Sequence, residues 1–248
     1  MKFKLVALSL FLTFSFVQNV FAESVPSFEK LRETLKEVVG EENGGFGFNM
    51  WATIVDRDGI VRAVTFSGEE RGDQWPGSRV ISAQKANTAN AFALPEFSLS
   101  TANLFAAVQP GGSLFGLQAS NPVDTQAAYD GSVAKIGTKN DPLTGKKIGG
   151  VNVFGGGLPL YDSSEKLIGA LGVSGDSSCA DHNIAWKVRH KLNLDNVPKG
   201  VSPTGDDNIV NDLKDDESKS GWGHPECSPE AKKIALQLPK KFPVGPKS

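Results

Sequence analysis

An α+β domain is the fold class this chain predicts: an antiparallel sheet with helices packed against it. Three observations carry that expectation. Short polar turns, Asp56-Arg57-Asp58-Gly59 and Tyr161 to Lys166, each separate two apolar runs, the pattern of hairpins rather than of crossovers. Helical patterns follow the hairpins instead of alternating with every strand, which argues against a doubly wound parallel sheet. One helical stretch is rich in alanine and one strand run carries glycine, small residues that let a helix approach a sheet closely.

The elements follow in order. From Ser27 to Val39, Phe28, Leu31, Leu35 and Val38 recur at helical spacing with charges between them. Gly44, Gly45 and Gly47 end that helix, and Met50 to Val55 reads as a strand whose return partner is Ile60 to Phe66. Ser67 to Gly77 is a polar loop. Ser78 is placed to cap a helix running to about Leu94, with Ala83, Ala86, Ala89, Ala91 and Ala93, and Pro95 stops it. Ser100 to Val108 predicts a short second helix, closed by Pro110-Gly111-Gly112. Pro122 to Lys147 is polar with few large apolar residues and reads as a long excursion.

The densest information lies between Ile148 and Leu192, which predicts strand, glycine loop, hairpin, strand and capped helix. Gly155-Gly156-Gly157 meets Leu158-Pro159-Leu160, a permissive backbone joined to a rigid one. Leu167 to Val173 is almost wholly apolar. Ser178 and Asp181 match a capping box, so the last helix is expected to begin near Cys179. Beyond Asn193 the chain turns polar, with Asp206, Asp207, Asp212, Asp215, Asp216 and Glu217, and Pro239, Pro243 and Pro246 predict a loose end.

Lys2 and Lys4, an apolar run from Leu5 to Val17 and a small residue at Ala22 predict a secretory signal peptide over residues 1–22. The apolar run is shorter than the roughly 20 residues that span a bilayer, and no later stretch is long or apolar enough. The organisation expected is therefore a leader (1–22), a folded domain (23–193, with the excursion 122–147) and a polar extension (194–248), in a periplasmic or secreted protein. Removing Lys2 and Lys4 from 26 Lys and Arg leaves 24 against 28 Asp and Glu, a formal charge of −4. No basic face of the kind nucleic acid demands is present. Cys179 and Cys227 are the two cysteines; in an oxidising compartment they are expected to pair, tying the extension to the start of the last helix. Ligation of a metal by the two thiolates is the alternative, without a CxxC or CxxCH spacing to support it.

Three histidines are the sharpest candidates for chemistry. His182, Trp186, Arg189 and His190 fall at i, i+4, i+7 and i+8, one helical face. Such a stripe suits a flat aromatic ligand bearing carboxylates, such as heme: imidazole for iron, indole for stacking, guanidinium for a propionate. A solvated or oligomer-facing stripe gives the same spacing. His224, in Gly221-Trp222-Gly223-His224-Pro225-Glu226-Cys227, would be carried by the disulfide toward His182, making His182 and His224 the candidate metal ligands. Arg79 and Lys85 are candidate anchors for anionic groups. Gly155-Gly156-Gly157 lacks the lysine and hydroxyl of a P-loop, and no GxGxxG, GxSxG or HExxH is present.

Val55-Asp56-Arg57-Asp58-Gly59, the run Ser82-Ala83-Gln84-Lys85-Ala86-Asn87-Thr88-Ala89 through Phe92, and Gly156-Gly157-Leu158-Pro159-Leu160 followed by Ile168 to Gly175 occur in one order. Taken together, these motifs resemble the GlcG/HbpS-type heme-binding family over roughly Phe28 to Leu192. The resemblance implies an α/β sandwich, profilin-like or PAS-like in outline, with small-molecule binding (heme or a related tetrapyrrole in some members) and homo-oligomers. It supplies no ligand residue, because none of the histidines lies in the matching motifs.

Three functions follow as expectations. The first is an exported heme- or tetrapyrrole-binding protein for uptake, buffering or sensing, with His182, Trp186, Arg189, His190, His224, Gly156, Gly157 and Pro159 near the ligand. The second is an enzyme or binding protein for a small carboxylate metabolite, cradled by the Gly155–Pro159 loop with Asp56 or Lys85 as weak acid–base candidates. The third is a structural oligomer whose glycine-rich surfaces merely pack.

Overall fold

The computed structural model describes residues 25–245, so the expected leader lies outside the described residues. Helix α1 (Phe28–Val39) is capped by Ser27, whose hydroxyl accepts from the Lys30 amide at 3.2 Å. Strands β1 (Trp51–Asp56) and β2 (Val61–Phe66) form the first hairpin, and α2 (Ser78–Ala91) follows. The cap of α2 departs from expectation: Gly77 occupies the N-cap with no side-chain bond, and Ser78 is the first helical residue. Ser100 to Val108 forms two 3-10 turns, Thr101–Leu104 and Ala106–Val108, instead of one α-helix. Short helices α3 (Leu117–Ser120) and α4 (Thr125–Tyr129) lead through the excursion. Residues 148–154 hold no strand, contrary to expectation; one bridge, Val123 to Gly149, is their sheet-like contact. Strands β3 (Gly157–Tyr161) and β4 (Leu167–Ser174) make the second hairpin, and α5 (Ser178–Lys191) follows.

The four strands form one antiparallel sheet in the order β2-β1-β4-β3. Pro159 sits on the edge strand β3, where its missing N–H is tolerated. Alternation along β1 sends Ala52 and Ile54 to a core with Leu31, Leu35, Leu171, Val173, Ile184 and Trp186, beneath α1 and α5. Trp51 and Val55 go to the other face, with Val80, Ala83, Ala86 and Ala89 of α2. The sheet is thus covered on both faces, an α/β sandwich as expected. Gly172 explains the intimacy of the α2 face: a Cβ there would stand 1.9 Å from the Ser82 carbonyl oxygen.

The excursion is not loose. Ala128, Leu143 and Ile148 join the core under α2. Nor is the C-terminal extension. It forms a small hairpin, β5 (Leu213–Lys214) with β6 (Glu217–Ser218), and a 13-residue helix, α6 (Pro229–Lys241). Ser228 caps α6 and Pro229 occupies its first turn, where a missing N–H costs nothing. Ala231, Ala235 and Leu238 point inward from it. The loose end expected from the prolines is therefore a packed helix.

Candidate functional site

Helix α5 starts one residue earlier than the capping-box reading. Ser177 is the N-cap, its hydroxyl accepting from the Ala180 amide at 3.4 Å. Asp181 does not close a box on Ser178. Its carboxylate accepts from the Asp176 amide at 2.9 Å and from Lys85 Nζ at 2.7 Å. Lys85 also donates to the Val173 carbonyl at 3.2 Å. Both members of this ion pair are buried, and burial pushes the Asp181 carboxyl up to about 6 while Lys85 pulls it down. Lys85 is therefore a buried cation with a buried partner, not a surface anchor. Arg79 likewise is buried against Asp141.

The stripe on α5 points into the protein. Trp186, wholly buried, donates its indole N–H to the Phe242 carbonyl at 2.9 Å. Arg189, also wholly buried, holds Asp207 through two 2.7 Å bonds and donates to the Pro159 carbonyl at 3.2 Å. Burial alone would raise the Asp207 carboxyl, but Arg189 outweighs it and holds that group below the ordinary carboxylate range. The guanidinium lies 5.0 Å over the Trp186 ring. His190 Nδ1 stands 2.6 Å from Asp195. Trp186 and Arg189, expected to meet a planar ligand, thus meet the chain's own extension, because residues 194–242 fold back over this face.

Two imidazoles remain chemically open. His182 Nε2 lies 3.1 Å from Asn208 Oδ1, and the Ile209 amide is 3.1 Å from the same nitrogen. That amide donates both to Nε2 and, at 2.9 Å, to Asn208 Oδ1. With the ring proton on Nδ1 the Nε2 lone pair accepts from Ile209; with it on Nε2 the ring donates to Asn208 and Nδ1 keeps a bare lone pair. His182 Nδ1 is buried without a partner. His224 has the reverse arrangement: Nδ1–H donates to the Pro225 carbonyl at 2.8 Å, and Nε2 is buried without a partner. Burial drives the His182 pKa down to about 3, with His224 among the charges that lower it further. His224 falls to about 4 through burial, with Lys85 adding to the shift. Both rings are neutral at physiological pH. A neutral ring whose far nitrogen donates to an oxygen acceptor is the form a metal-ligating histidine takes.

The disulfide expected from the sequence is present, Cys179 Sγ to Cys227 Sγ, closing a separation of 48 residues. It brings His224 beside α5, with Nδ1 4.0 Å from Cys179 Sγ. Phe105 packs on His224 at 5.1 Å between ring centres and on Phe154 at 6.3 Å. The glycine loop is packed rather than open. A Cβ on Gly155 would stand 2.3 Å from the Ser178 carbonyl oxygen and 3.1 Å from His182 Cβ. The Gly157 amide is taken by Thr101 Oγ1 at 2.9 Å, and Pro159 has no amide proton to offer. That leaves the carboxylate-cradle reading without support at Gly157 and Pro159. Asp207, Asn208 and Asp195 are the functional-face residues that sequence reasoning missed. The acidic run around Asp206 was visible, but no local pattern pairs it with Arg189.

A family model described as "HbpS-like: Haem degrading protein HbpS-like" matches residues 29–189. No curated protein matches the chain. Among solved structures, a Klebsiella pneumoniae protein called ORFY is 25% identical, covering 65% of this chain and 83% of its own, with a TM-score of 0.44. A structure described as a PduOC–heme complex is 25% identical, covering 68% and 96%, at 0.46. A crystal structure of HbpS is 16% identical, covering 67% and 89%, at 0.40.

Proposed function

The chain belongs to the HbpS-like family, and from that premise we propose that it binds heme or a related iron tetrapyrrole through His182 and His224. We further read it as an exported protein that holds this group for uptake, buffering or sensing, in a homo-oligomer such as the family resemblance implies. One observation carries the ligand assignment: two buried neutral imidazoles each have a ring nitrogen with no partner, Nδ1 of His182 and Nε2 of His224, and His224 has its other nitrogen committed to the Pro225 carbonyl. Bound iron would supply a Lewis-acidic centre for such nitrogens.

The donor set fits that group. The neutral state of both rings avoids a proton that would have to leave before ligation. The Pro225 carbonyl orients the His224 ring and raises the basicity of its free nitrogen, and Asn208 Oδ1 would do the same for His182 once the ring proton sits on Nε2. His182 and His224 are 0% and 1% exposed, so a planar group reaches them only when the covering segments part. Arg189 takes no share in the assignment, because Asp207 already matches its charge.

The test is a hemin titration of protein purified from the cell envelope, followed at the Soret band. A saturable stoichiometric shift is expected, lost in His182→Gly and His224→Gly and restored by added imidazole. Rescue distinguishes a ligand from a merely structural ring. Equal hemin binding by the double variant would sink the assignment. An amino terminus beginning at Met1 instead of Glu23 in the same preparation would sink cleavage of a leader.

A further inference from the structure

The other face of the sheet carries a feature that the heme reading does not use. Asp141 pins the excursion to the start of α2. Its carboxylate accepts from Arg79 Nε at 3.0 Å, from the Gly137 amide at 2.6 Å and from the Leu143 amide at 2.8 Å, while Arg79 Nη1 donates to the Ala128 carbonyl at 3.1 Å. The excursion therefore stands off the sheet as a fixed wall, and a groove of about 410 Å³ lies between it and α2. Trp51, Pro76, Val80, Tyr129, Val133 and Ile136 line it. The groove adjoins a second hollow of about 360 Å³ that shares Arg71, Val133 and Ile136 and adds Phe66 and Glu70.

Its polar groups are almost all donors. The indole N–H of Trp51 is buried in the wall with no partner, an arrangement that costs free energy unless something accepts from it. Arg71 stands at the rim, exposed, with one N–H on the Val133 carbonyl; among the described residues no carboxylate lies within ion-pairing distance of it. Tyr129 and Val133 are 69% and 62% exposed, so the apolar wall is open to entry.

We propose that this groove is a binding site for an amphipathic carboxylate, an apolar body lying along Val80, Val133 and Ile136 with its carboxylate at Arg71 and Trp51. An apolar wall with one unmatched guanidinium and one unmatched N–H selects a ligand that is apolar over most of its length and anionic at one end. It selects against an ammonium head of the same length. The hydrogen bonds and ring contacts of His182 and His224 involve none of these residues, so the site stands or falls apart from heme binding.

Calorimetric titration of the full chain with dodecanoate, dodecanol and dodecylamine tests the site, with the Trp51 indole N–H resonance followed in parallel. Dodecanoate should bind saturably and shift that resonance, and dodecylamine should not bind. Arg71→Gln should weaken dodecanoate by about tenfold, the loss of one charge-assisted contact. Val133→Asp should remove binding, and thermal unfolding of both variants should match the parent, since both positions are exposed. No saturable binding, equal binding of dodecylamine, or unchanged binding in Val133→Asp would each overturn the proposal. So would a parent dimer that Val133→Asp makes monomeric, because a second copy would then fill the groove. Displacement of dodecanoate by one equivalent of hemin would overturn it too, whereas hemin binding lost only in the histidine variants leaves the two sites separate.

Discussion

The two faces of the sheet solve the same covering problem in opposite ways. On α5 lie polar and charged side chains, His182, Asn183, Lys187 and Arg189, and two segments satisfy them: residues 41–43 take Lys187 and part of Asn183, and the extension takes Arg189, His182 and the rest of Asn183. Under α2 lie alanines, valines and aromatic rings, and the excursion covers them incompletely, leaving a groove. The face that looks like a ligand site in the sequence is mostly internal wiring. The face that looks like plain core has the opening. Residue type alone does not tell how completely a surface is covered; the partners that distant segments bring to it do.

The largest expected effect separates the faces directly. Asp207→Asn leaves Arg189 as an uncompensated buried charge and should cost about 3–5 kcal/mol in urea unfolding. Val133→Asp on the open face should stay within about 0.5 kcal/mol. Similar losses in both would mean that the two faces are covered alike. The disulfide comes next. Replacing Cys179 and Cys227 together by serine should cost up to about 4 kcal/mol for a 48-residue loop. The loss should also raise the hydrogen exchange of residues 223–228 above that of the excursion, and a uniform change across both faces would contradict the tethering role.

Acid sharpens the contrast with the smallest effect. His182 and His224 titrate at about 3 and about 4 in the fold against 6.5 ordinarily, so the unfolded chain binds their protons more readily. Their contribution is complete above pH 6.5 and fades as pH falls toward 4 and then 3. Asp181, raised from 3.8 to about 6, works the other way: it favours the fold in acid and less so as pH rises through 6. Two groups oppose one, so the urea midpoint should fall from pH 7 to pH 4.5. His182→Gln with His224→Gln should flatten or reverse that slope; an unchanged slope would place the acid sensitivity elsewhere.

Much of the fold is legible in local patterns. The hairpins around Asp58-Gly59 and Ser163-Ser164, the amphipathic α1 and the alanine face of α2 each follow from residues within one element. The disulfide was legible in another way, from two cysteines and the expectation of export. Helix α6 escapes the sequence reading: the prolines point to a loose end, although Ser228-Pro229-Glu230 is a start signal, Ala231, Ala235 and Leu238 share one face, and Pro239 is tolerated inside the helix near its end. The inward turn of the α5 stripe was not legible. Its partners Asp207, Asn208 and Phe242 lie 18 to 56 residues downstream, and nothing near Arg189 announces them. The strand expected at residues 148–154 failed for the same reason. Its apolar side chains are claimed by the excursion and the 3-10 turns, as Val153 packing with Leu99 and Leu104 shows.

The cover over α5 also has a meaning in time. Chains emerge from their amino end, and every strand of the main sheet is complete by Ser174. The buried charge of Arg189 waits for residue 207, the imidazole of His182 for residue 208, and the indole of Trp186 for residue 242. Until those arrive, α5 presents a guanidinium, an imidazole and an indole with nothing to satisfy them. Folding of this face is thus held open until residue 242 has arrived, and docking of the extension, rather than formation of the sheet, is the event that closes it.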